Sequence, residues 1–242
     1  MKFENTEVWG FKHALRGMRN PKNSWNKSDS YFDCESCFCN DCVNKDKEQC
    51  DHNALYIGES DMKLAQSLIR GGSEHRKFLR QIFVSVDITA PLYWWKEFDT
   101  YKVGTVANST STMHRIQSNS ITIESFEIDD YQPDFSLGDD GVHKLIAWLE
   151  GLRLKYIETK EKEYWKELIR WLPESWLQTR TVTLSYENIY AICSKGQRRF
   201  HKLNEWSGQD NPKLTNFISW ARELPYAQEF IFIDEMENDN GE

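Results

Sequence analysis

Apolar and polar residues alternate along four segments of the chain, and this period predicts β-strands. The first is FENTEVWG at 3–10, and the second is the later half of FLRQIFVSVDI at 78–88. SITIESFEI at 120–128 alternates in the same way, and TRTVTLSY at 179–186 is a shorter extended piece. Because these segments are few and far apart, we expect a small mixed or antiparallel sheet.

Helical periodicity covers more of the chain than strand alternation does. Ser60-Asp61 favours a helix start, and Gly71-Gly72 favours the end of the same helix. Thr89 is expected to cap the next helix, with Pro91 in its first turn. The predicted helices occupy 11–20, 62–70, 92–98, 145–171, 187–200 and 212–224. Helices therefore dominate over a small sheet, and the predicted fold class is α+β.

Three segments do not have the pattern of a core. Residues 26–55 are polar, rich in Cys and almost without aliphatic side chains, which is typical of an insertion. Residues 235–242 form an acidic tail. Within WWKEFDTYKVGTVANSTSTMHR at 94–115, the part at 103–112 is too small and polar to pack well, so it meets either solvent or a ligand. We expect one domain over 1–242 that carries the insertion and the tail.

Composition and charge exclude several classes of protein. The 242 residues include 10 Trp, 10 Tyr and 13 Phe, enough for a substantial core. A net charge of −8 argues against nonspecific binding to nucleic acid or to an anionic membrane. No apolar run is long enough to span a bilayer, and the N-terminus lacks the layout of a signal peptide. We therefore expect a cytoplasmic protein with reduced thiols.

The insertion at 26–55 carries candidate metal ligands. Two Cys-x-x-Cys pairs lie in CESCFCNDC, and a further Cys and a His follow shortly after. This spacing can bring two sulfurs to one tetrahedral zinc ion. The alternatives are a reduced, metal-free loop and partial disulfides. The candidate ligands, of which four would bind one zinc, are Cys34, Cys37, Cys39, Cys42, Cys50 and His52.

Basic and amide residues in the C-terminal half form a second constellation. Arg170 precedes Leu172-Pro173, and Asn188 opens a predicted helix that carries Arg199 eleven residues later. Eleven residues make about three turns, so Asn188 and Arg199 would share one face of that helix. An arginine fork suits phosphate and carbonyl edges. Considered alone, Arg199 is better explained as a surface cation near a helix end.

The order of these motifs resembles that of the flavin-dependent thymidylate synthases. That family has an Arg before Leu-Pro, a Thr-Arg ten residues after that Arg, and an Asn followed eleven residues later by an Arg that contacts the nucleotide. A Glu-His element and an Ala-Pro occur upstream. The matching positions, within 60–230, are Glu74-His75, Ala90-Pro91, Arg170, Thr179-Arg180, Asn188 and Arg199. The chain is similar in particular to a divergent phage and Firmicute branch.

The family signature Arg-His-Arg-x-x-Ser-x-Asn-x-x-Ser-x-Arg, preceded by Gln, matches less well. Counted from Ala90-Pro91, the Gln falls on Glu97 and the Arg-His-Arg on Thr100-Tyr101-Lys102. The first Ser falls on Thr105, and the second on Thr110 or Ser111. The last Arg is replaced by Thr112, with Arg115 close behind. The segment 103–112 then resembles the hydroxyl-bearing loop that holds a nucleotide phosphate, and a surface loop is the alternative.

The resemblance implies methylation of dUMP to dTMP with FAD, NAD(P)H and methylenetetrahydrofolate in a homotetramer with composite sites. Arg199 would hold and polarise the uracil. The implied nucleotide contacts are Arg170, Lys102, Thr105, Thr110, Ser111 and Arg199, and the implied flavin contacts are Glu74, His75, Glu97, Tyr101 and Asn188. Two alternatives stay open: a nucleotide- or flavin-binding homologue with altered or lost activity, and an interaction protein that docks through a zinc loop.

Overall fold

The computed structural model describes residues 1–32, 55–101, 103–128, 141–198, 200–208 and 213–236. The chain divides into two compact units. Unit 1 comprises Met1–Glu7, Val84–Leu184 and Arg198–Ala221, and unit 2 comprises Val8–Phe83, Ser185–Gln197 and Arg222–Glu242. The single domain expected from the sequence stays a prediction. Most of the insertion and of the acidic tail lies outside the described residues.

The main sheet has four strands in the order β1-β4-β6-β5. In β4 the side chains alternate between buried and half-buried positions, as the sequence period predicts. β5 runs antiparallel to β6, with Val106 opposite Thr183 and Ser109 opposite Arg180. β2 and β3 form a separate antiparallel pair. The strands are β1 (Lys2–Trp9), β2 (Tyr31–Phe32), β3 (Leu55–Tyr56), β4 (Phe83–Pro91), β5 (Val106–Ser109) and β6 (Leu177–Ser185). The strands predicted at 3–10, in the later half of 78–88 and at 179–186 are confirmed as β1, β4 and β6.

The helices account for more of the described residues than the strands do. Their bounds are α1 (Phe11–Arg19), α2 (Glu59–Arg70), α3 (Leu92–Phe98), α4 (Thr112–Arg115), α5 (Gly141–Thr159), α6 (Lys162–Arg170), α7 (Tyr186–Cys193), α8 (Lys195–Arg198), α9 (Asn204–Ser207), α10 (Phe217–Arg222) and α11 (Ala227–Phe230). This content confirms an α+β protein. No helix in the described ranges is both long and apolar enough to cross a membrane.

Unit 1 has two apolar clusters. In the aromatic cluster, the ring of Trp94 lies 4.6 Å from Trp206 and 5.1 Å from Phe98, measured between centroids. The second cluster lies beside the α5–α6 hairpin and contains Ile116, Ile121, Phe126, Leu149 and Leu168. Burial of such side chains stabilises the unit by roughly 1.5–3 kcal/mol for each large residue.

Unit 2 contains a buried carboxylate, Asp61. Its two oxygens accept hydrogen bonds from Arg19 Nε at 2.5 Å and from the hydroxyls of Ser28 and Ser30, each at 2.6 Å. Burial raises the pKa of Asp61, but these three hydrogen bonds outweigh it and lower that pKa overall.

The prediction that Ser60-Asp61 caps α2 is wrong: the helix begins at Glu59 after Gly58, and the Asp61 side chain is committed to these contacts.

The strand predicted at 120–128 is also wrong. The segment has one isolated bridge, Phe126 to Trp176, and a short 3-10 turn at Ile123–Ser125. Its apolar residues Ile121 and Phe126 are buried beside α5 and α6 instead. The alternation here reflects the burial of single apolar side chains. It does not indicate a strand, because a β-ladder also requires a partner strand along the segment.

Four further predictions change at helix ends. Thr89 does not cap α3, because β4 continues to Pro91 and the Thr89 hydroxyl bonds that of Thr179 at 2.7 Å. The span 145–171 forms two helices, separated near Lys160, whose φ is 61°.

The predicted helix at 187–200 is interrupted at Ser194, where ψ is 148°. The argument that Asn188 and Arg199 share a helix face therefore fails. The helix predicted at 212–224 is shorter, spanning Phe217–Arg222.

Candidate functional site

Unit 1 contains a cleft of about 760 Å³ between the end of β5, the segment around 115–128 and the start of β6. Its volume is typical of small-molecule sites, which occupy roughly 300–1,000 Å³. The lining residues combine hydroxyls, charges and aromatic surface. They include Lys2, Thr110, Ser111, Thr112, Arg115 and Trp176.

One wall of the cleft is formed by Thr110, Ser111 and Thr112, which follow β5 directly. The backbone amide of Thr110 donates to the carbonyl oxygen of Thr179 at 2.9 Å, extending the β5–β6 pairing by one residue. The Gln178 side-chain amide donates to the Thr110 carbonyl at 3.1 Å and to the Thr112 hydroxyl at 3.3 Å. These bonds fix the backbone of the wall.

Ser111 has a local role as well. Its Oγ accepts a hydrogen bond from the backbone amide of His114 at 3.2 Å, which makes Ser111 the N-cap of α4. A hydroxyl can accept in this way and still donate its own proton. Ser111 can therefore cap α4 and donate to a ligand in the cleft at the same time.

Arg115 gives the cleft an available cation. It is exposed and lies on α4, one turn after Ser111, and its guanidinium forms no ion pair within the part of the chain that the structure describes. Lys2 adds a second positive charge, while Glu124 and Glu127 contribute two negative charges. A hydrogen bond from Thr122 is the main cause that lowers the pKa of Glu124. Arg115 and Lys2 are therefore the side-chain cations that line the described part of the cleft.

The other wall is apolar and aromatic. Phe126 and Trp176 meet edge to face, with ring centroids 5.5 Å apart, and Ile116 lies beside them in the lining. Phe126 and Ile116 also belong to the buried cluster next to α5, so this wall is held by core packing. The cleft therefore offers hydroxyls and a guanidinium on one side and planar apolar surface on the other. That combination suits a phosphorylated molecule with a flat ring.

Four other predicted site residues of unit 1 do not line this cleft. Glu97 is half-buried and lies 3.5 Å from Nδ1 of the buried His201. The Tyr101 ring packs 5.7 Å from Trp206, and Thr105 is half-buried just before β5. Arg170 is exposed at the end of α6, and its guanidinium bonds Glu167 at 2.5 Å. Of the predicted site residues that the structure describes, only Thr110 and Ser111 line the cleft.

Three predicted flavin contacts belong to unit 2. Glu74 and His75 are exposed in the turn after α2. Asn188 is half-buried, and its Oδ1 accepts hydrogen bonds from the Ser185 amide at 2.9 Å and hydroxyl at 2.7 Å. These bonds form a capping box at the start of α7. The amide oxygen of Asn188 is therefore committed to helix capping.

The remaining predicted positions lie outside the described residues. They are Lys102, Arg199, Cys34, Cys37, Cys39, Cys42, Cys50 and His52. Within the ranges that the structure describes, no group of three or more His, Cys, Asp or Glu side chains could hold a metal ion. The zinc site, which falls wholly on the other residues, stays a prediction.

The sequence did not identify two residues that contribute to the cleft: Arg115, which lines it, and Gln178, which bonds its hydroxyl wall. Arg115 follows the missing signature arginine by three residues, roughly one helical turn, and that spacing was the available signal. Gln178 shows no such signal, because its role depends on contacts across 66 and 68 positions of the chain.

Comparison with known proteins identifies the fold. No family model matches the chain, and no curated protein matches it in sequence. The flavin-dependent thymidylate synthase ThyX from Helicobacter pylori, solved with FAD and dUMP, aligns with a TM-score of 0.60 at 16% identity, over 97% of this chain and 99% of that one. A second ThyX structure from that organism, also with FAD and dUMP, gives a TM-score of 0.60 at 14% identity, over 94% and 95%.

A weaker alignment is to the UMP/dUMP methylase PolB from Streptomyces cacaoi bound with 5-Br dUMP. Its TM-score is 0.45 at 12% identity, over 73% of this chain and 82% of that one, and it carries no argument here. The two ThyX alignments establish a ThyX-like fold, which confirms the expected fold type. At such low identity they establish nothing further.

Proposed function

We propose that the protein is a thymidylate synthase-like enzyme that binds dUMP and methylates it to dTMP, using FAD, NAD(P)H and methylenetetrahydrofolate. One observation carries the proposal: in a chain with a ThyX-like fold, the hydroxyls at the signature positions Thr110 and Ser111 line a cleft together with Arg115. Both ThyX neighbours were solved with FAD and dUMP.

The nucleotide would bind with its phosphate at the hydroxyl wall. Arg115 would donate paired hydrogen bonds to the phosphate oxygens, which takes the place of the signature arginine absent at Thr112. The hydroxyls of Thr110 and Ser111 would add single donors. The uracil ring would then lie against the apolar wall that contains Phe126 and Trp176.

The described residues fit the nucleotide better than they fit the flavin within one chain. Glu97 is next to His201, Tyr101 packs on Trp206 and Asn188 caps α7, so three of the five predicted flavin contacts are engaged locally. Glu74 and His75 are exposed. A flavin site assembled from several copies, as the family resemblance implies, would use such exposed positions. The homotetramer itself stays a prediction, and we derive no chemical step through the flavin.

A second candidate is a homologue that binds the nucleotide and has lost turnover. The altered triplet Thr100-Tyr101-Lys102 favours it, because a point charge at Lys102 replaces the arginine fork. The resemblance assigns uracil polarisation to Arg199. Whether Arg199 performs that role would therefore distinguish an active enzyme from a homologue that binds the nucleotide without turnover. The roles of Lys102 and Arg199, like those of Arg170 and Thr105, stay predictions.

The test combines binding with turnover. Purified protein should convert dUMP to dTMP and show a flavin absorption spectrum, and calorimetric titration should detect dUMP binding. Arg115→Gln should weaken that binding by about 1.5–3 kcal/mol, the contribution of a charged hydrogen bond. Arg16→Gln, an exposed helical arginine of unit 2, is the matched control and should bind dUMP normally.

The outcomes separate the candidates. Binding that depends on Arg115 without dTMP formation supports the homologue that has lost activity. Normal binding in Arg115→Gln excludes this cleft as the nucleotide site. Absence of both binding and flavin leaves the interaction protein as the surviving alternative.

A further inference from the structure

A second cavity, of about 290 Å³, lies in unit 2 between the end of α1, the start of α2 and the turns at 20–27. We call it the basic cavity, because the described residues that line it include three cations and no carboxylate. The whole chain has a net charge of −8, so the cavity has the opposite sign to the average surface. The polar lining residues include Arg19, Lys22, Asn23, Asn26, Lys27 and Ser60.

Arg19 is the buried cation of this cavity, with 4% of the residue exposed. Its Nε donates to Asp61 at 2.5 Å, one terminal nitrogen donates to the Ser24 carbonyl at 3.3 Å, and the other donates to the Ser60 hydroxyl at 2.9 Å. A guanidinium has five N–H donors, so two of them donate to no residue that the structure describes. These two N–H groups are therefore available to a ligand.

Lys22 and Lys27 supply the net positive charge, because Asp61 balances the charge of Arg19. Both lysines are exposed, and neither forms an ion pair with a described residue. The Asp29 carboxylate accepts hydrogen bonds from two backbone amides of α2, at 2.8 and 3.0 Å, and does not line the cavity. The basic cavity therefore has two uncompensated positive charges among its described residues.

Hydrogen bonds hold the turns at 20–27 in place. The Asn23 amide donates to the Asn20 carbonyl at 3.1 Å, and Asn23 has a φ of 46°, a left-handed conformation that asparagine tolerates. The Ser60 hydroxyl donates to the Lys27 carbonyl at 3.2 Å, which joins the turns to α2. The lysines are therefore carried by a backbone that is already fixed, so little backbone ordering opposes the binding of a ligand.

We propose that the basic cavity binds the phosphate group of a small phosphorylated molecule. A phosphate monoester has about two negative charges at neutral pH and three acceptor oxygens. These match the two uncompensated lysine charges and the unused donors of Arg19, whereas a carboxylate would leave one lysine charge uncompensated. The side-chain amides of Asn23 and Asn26 add further donors.

The size of the cavity limits the ligand. Its volume is at the lower end of the range for small-molecule sites, so the molecule is smaller than a dinucleotide. The inference is independent of the proposed function, because the basic cavity contains no residue of the cleft in unit 1 and none of the implied flavin contacts.

Calorimetric titration of inorganic phosphate and of a glycerol phosphate tests the proposal. The protein carries Arg115→Gln throughout, so that phosphate bound in the cleft of unit 1 does not contribute. Each probe should bind at a single site. Lys22→Gln and Lys27→Gln should each weaken that binding by about threefold, and the double variant by about tenfold, because each change removes one attractive charge. Lys12→Gln, at an exposed lysine near the other end of α1, is the control and should leave the affinity unchanged.

The Nε–H resonance of Arg19 in heteronuclear NMR spectra gives a second readout. It should shift as phosphate is added, with the midpoint found by calorimetry, whereas diffuse attraction of phosphate to surface lysines would not move the signal of a buried guanidinium. An unmoved resonance would overturn the proposal, as would the absence of saturable binding at millimolar concentration or unchanged binding in the double variant. An equal loss in Lys12→Gln would also overturn it, because the response would then be to net charge alone. So would binding of inorganic phosphate without the ester.

Discussion

Two neighbouring segments of unit 1, α3 and β5, are held in place in opposite ways. In α3, Trp94, Trp95 and Phe98 are each at most 1% exposed and contact other aromatic rings. In β5 every residue is exposed, Val106 by 64%, and the strand is held by its backbone pairing with β6 at the edge of the sheet.

The difference shows where the sequence is constrained by folding. Side chains of α3 determine the aromatic cluster, so few replacements preserve its packing. Side chains of β5 contribute little to the core, because a β-ladder is formed by backbone groups that every residue except proline provides. The segment that begins with β5 and continues to Thr112 can therefore carry hydroxyls for a ligand at little cost to stability.

Trp94→Ala tests the packed side of this comparison and should have the largest effect. Its indole nitrogen donates to no residue that the structure describes, so its contribution comes from packing against Phe98, Trp206 and Phe217. We expect the free energy of unfolding to fall by about 3–5 kcal/mol, measured by denaturant titration. Trp25→Ala, at a half-exposed tryptophan of unit 2, should cost much less. Equal losses in the two variants would contradict the comparison.

The same contrast explains which parts of the fold could be predicted. The strand β4 and the helix α3 follow from strong periodicity, since alternate residues of β4 and the aromatic residues of α3 are buried. β5 could not be predicted, because all four of its side chains are exposed and its sequence therefore carries no alternation of apolar and polar residues. Residues 120–128 were wrongly predicted as a strand, because Ile121 and Phe126 are buried without a neighbouring strand along the segment.

The candidate site was predictable only in part, and for a related reason. Thr110 and Ser111 stand out locally as hydroxyls in a segment that cannot form a core. Lys2 and Trp176 are separated from them by long stretches of chain, and their place in the cleft depends on the tertiary fold. The uninterrupted helix assumed for Asn188 and Arg199 failed at Ser194, in a Ser-Lys-Gly sequence where serine and glycine both weaken a helix.

Arg180→Met should have an intermediate effect, because Arg180 lies beside both segments. It lies on β6 opposite Ser109 of β5, and its guanidinium carbon is 4.2 Å from the centre of the Trp95 ring. It also pairs with Asp99, 3.1 Å away. Methionine keeps the apolar stem and removes the charge, so we expect a loss of about 1–2 kcal/mol in unfolding free energy.

Arg180→Lys is the control for that variant. Lysine retains the charge but lacks the planar fork that stacks on Trp95 while it bonds Asp99, so it should recover only part of the loss. Full recovery would mean that charge alone matters at this position. No loss in Arg180→Met would mean that α3 and β5 are not linked energetically through Arg180.

Val106→Thr should have the smallest effect and tests the exposed side of the comparison. Threonine keeps the branched Cβ that suits a strand, so the change removes only apolar character from a side chain that already meets solvent. We expect the free energy of unfolding to change by no more than about 0.5 kcal/mol. A loss above about 1 kcal/mol, measured in the same denaturant titration, would show that the side chain is buried in solution. The edge strand would then be covered, by a second copy or by residues outside the described ranges, and its side chains would be constrained by packing as those of α3 are. Repeating the titration at a tenfold lower protein concentration identifies the cover, because only burial against a second copy depends on concentration.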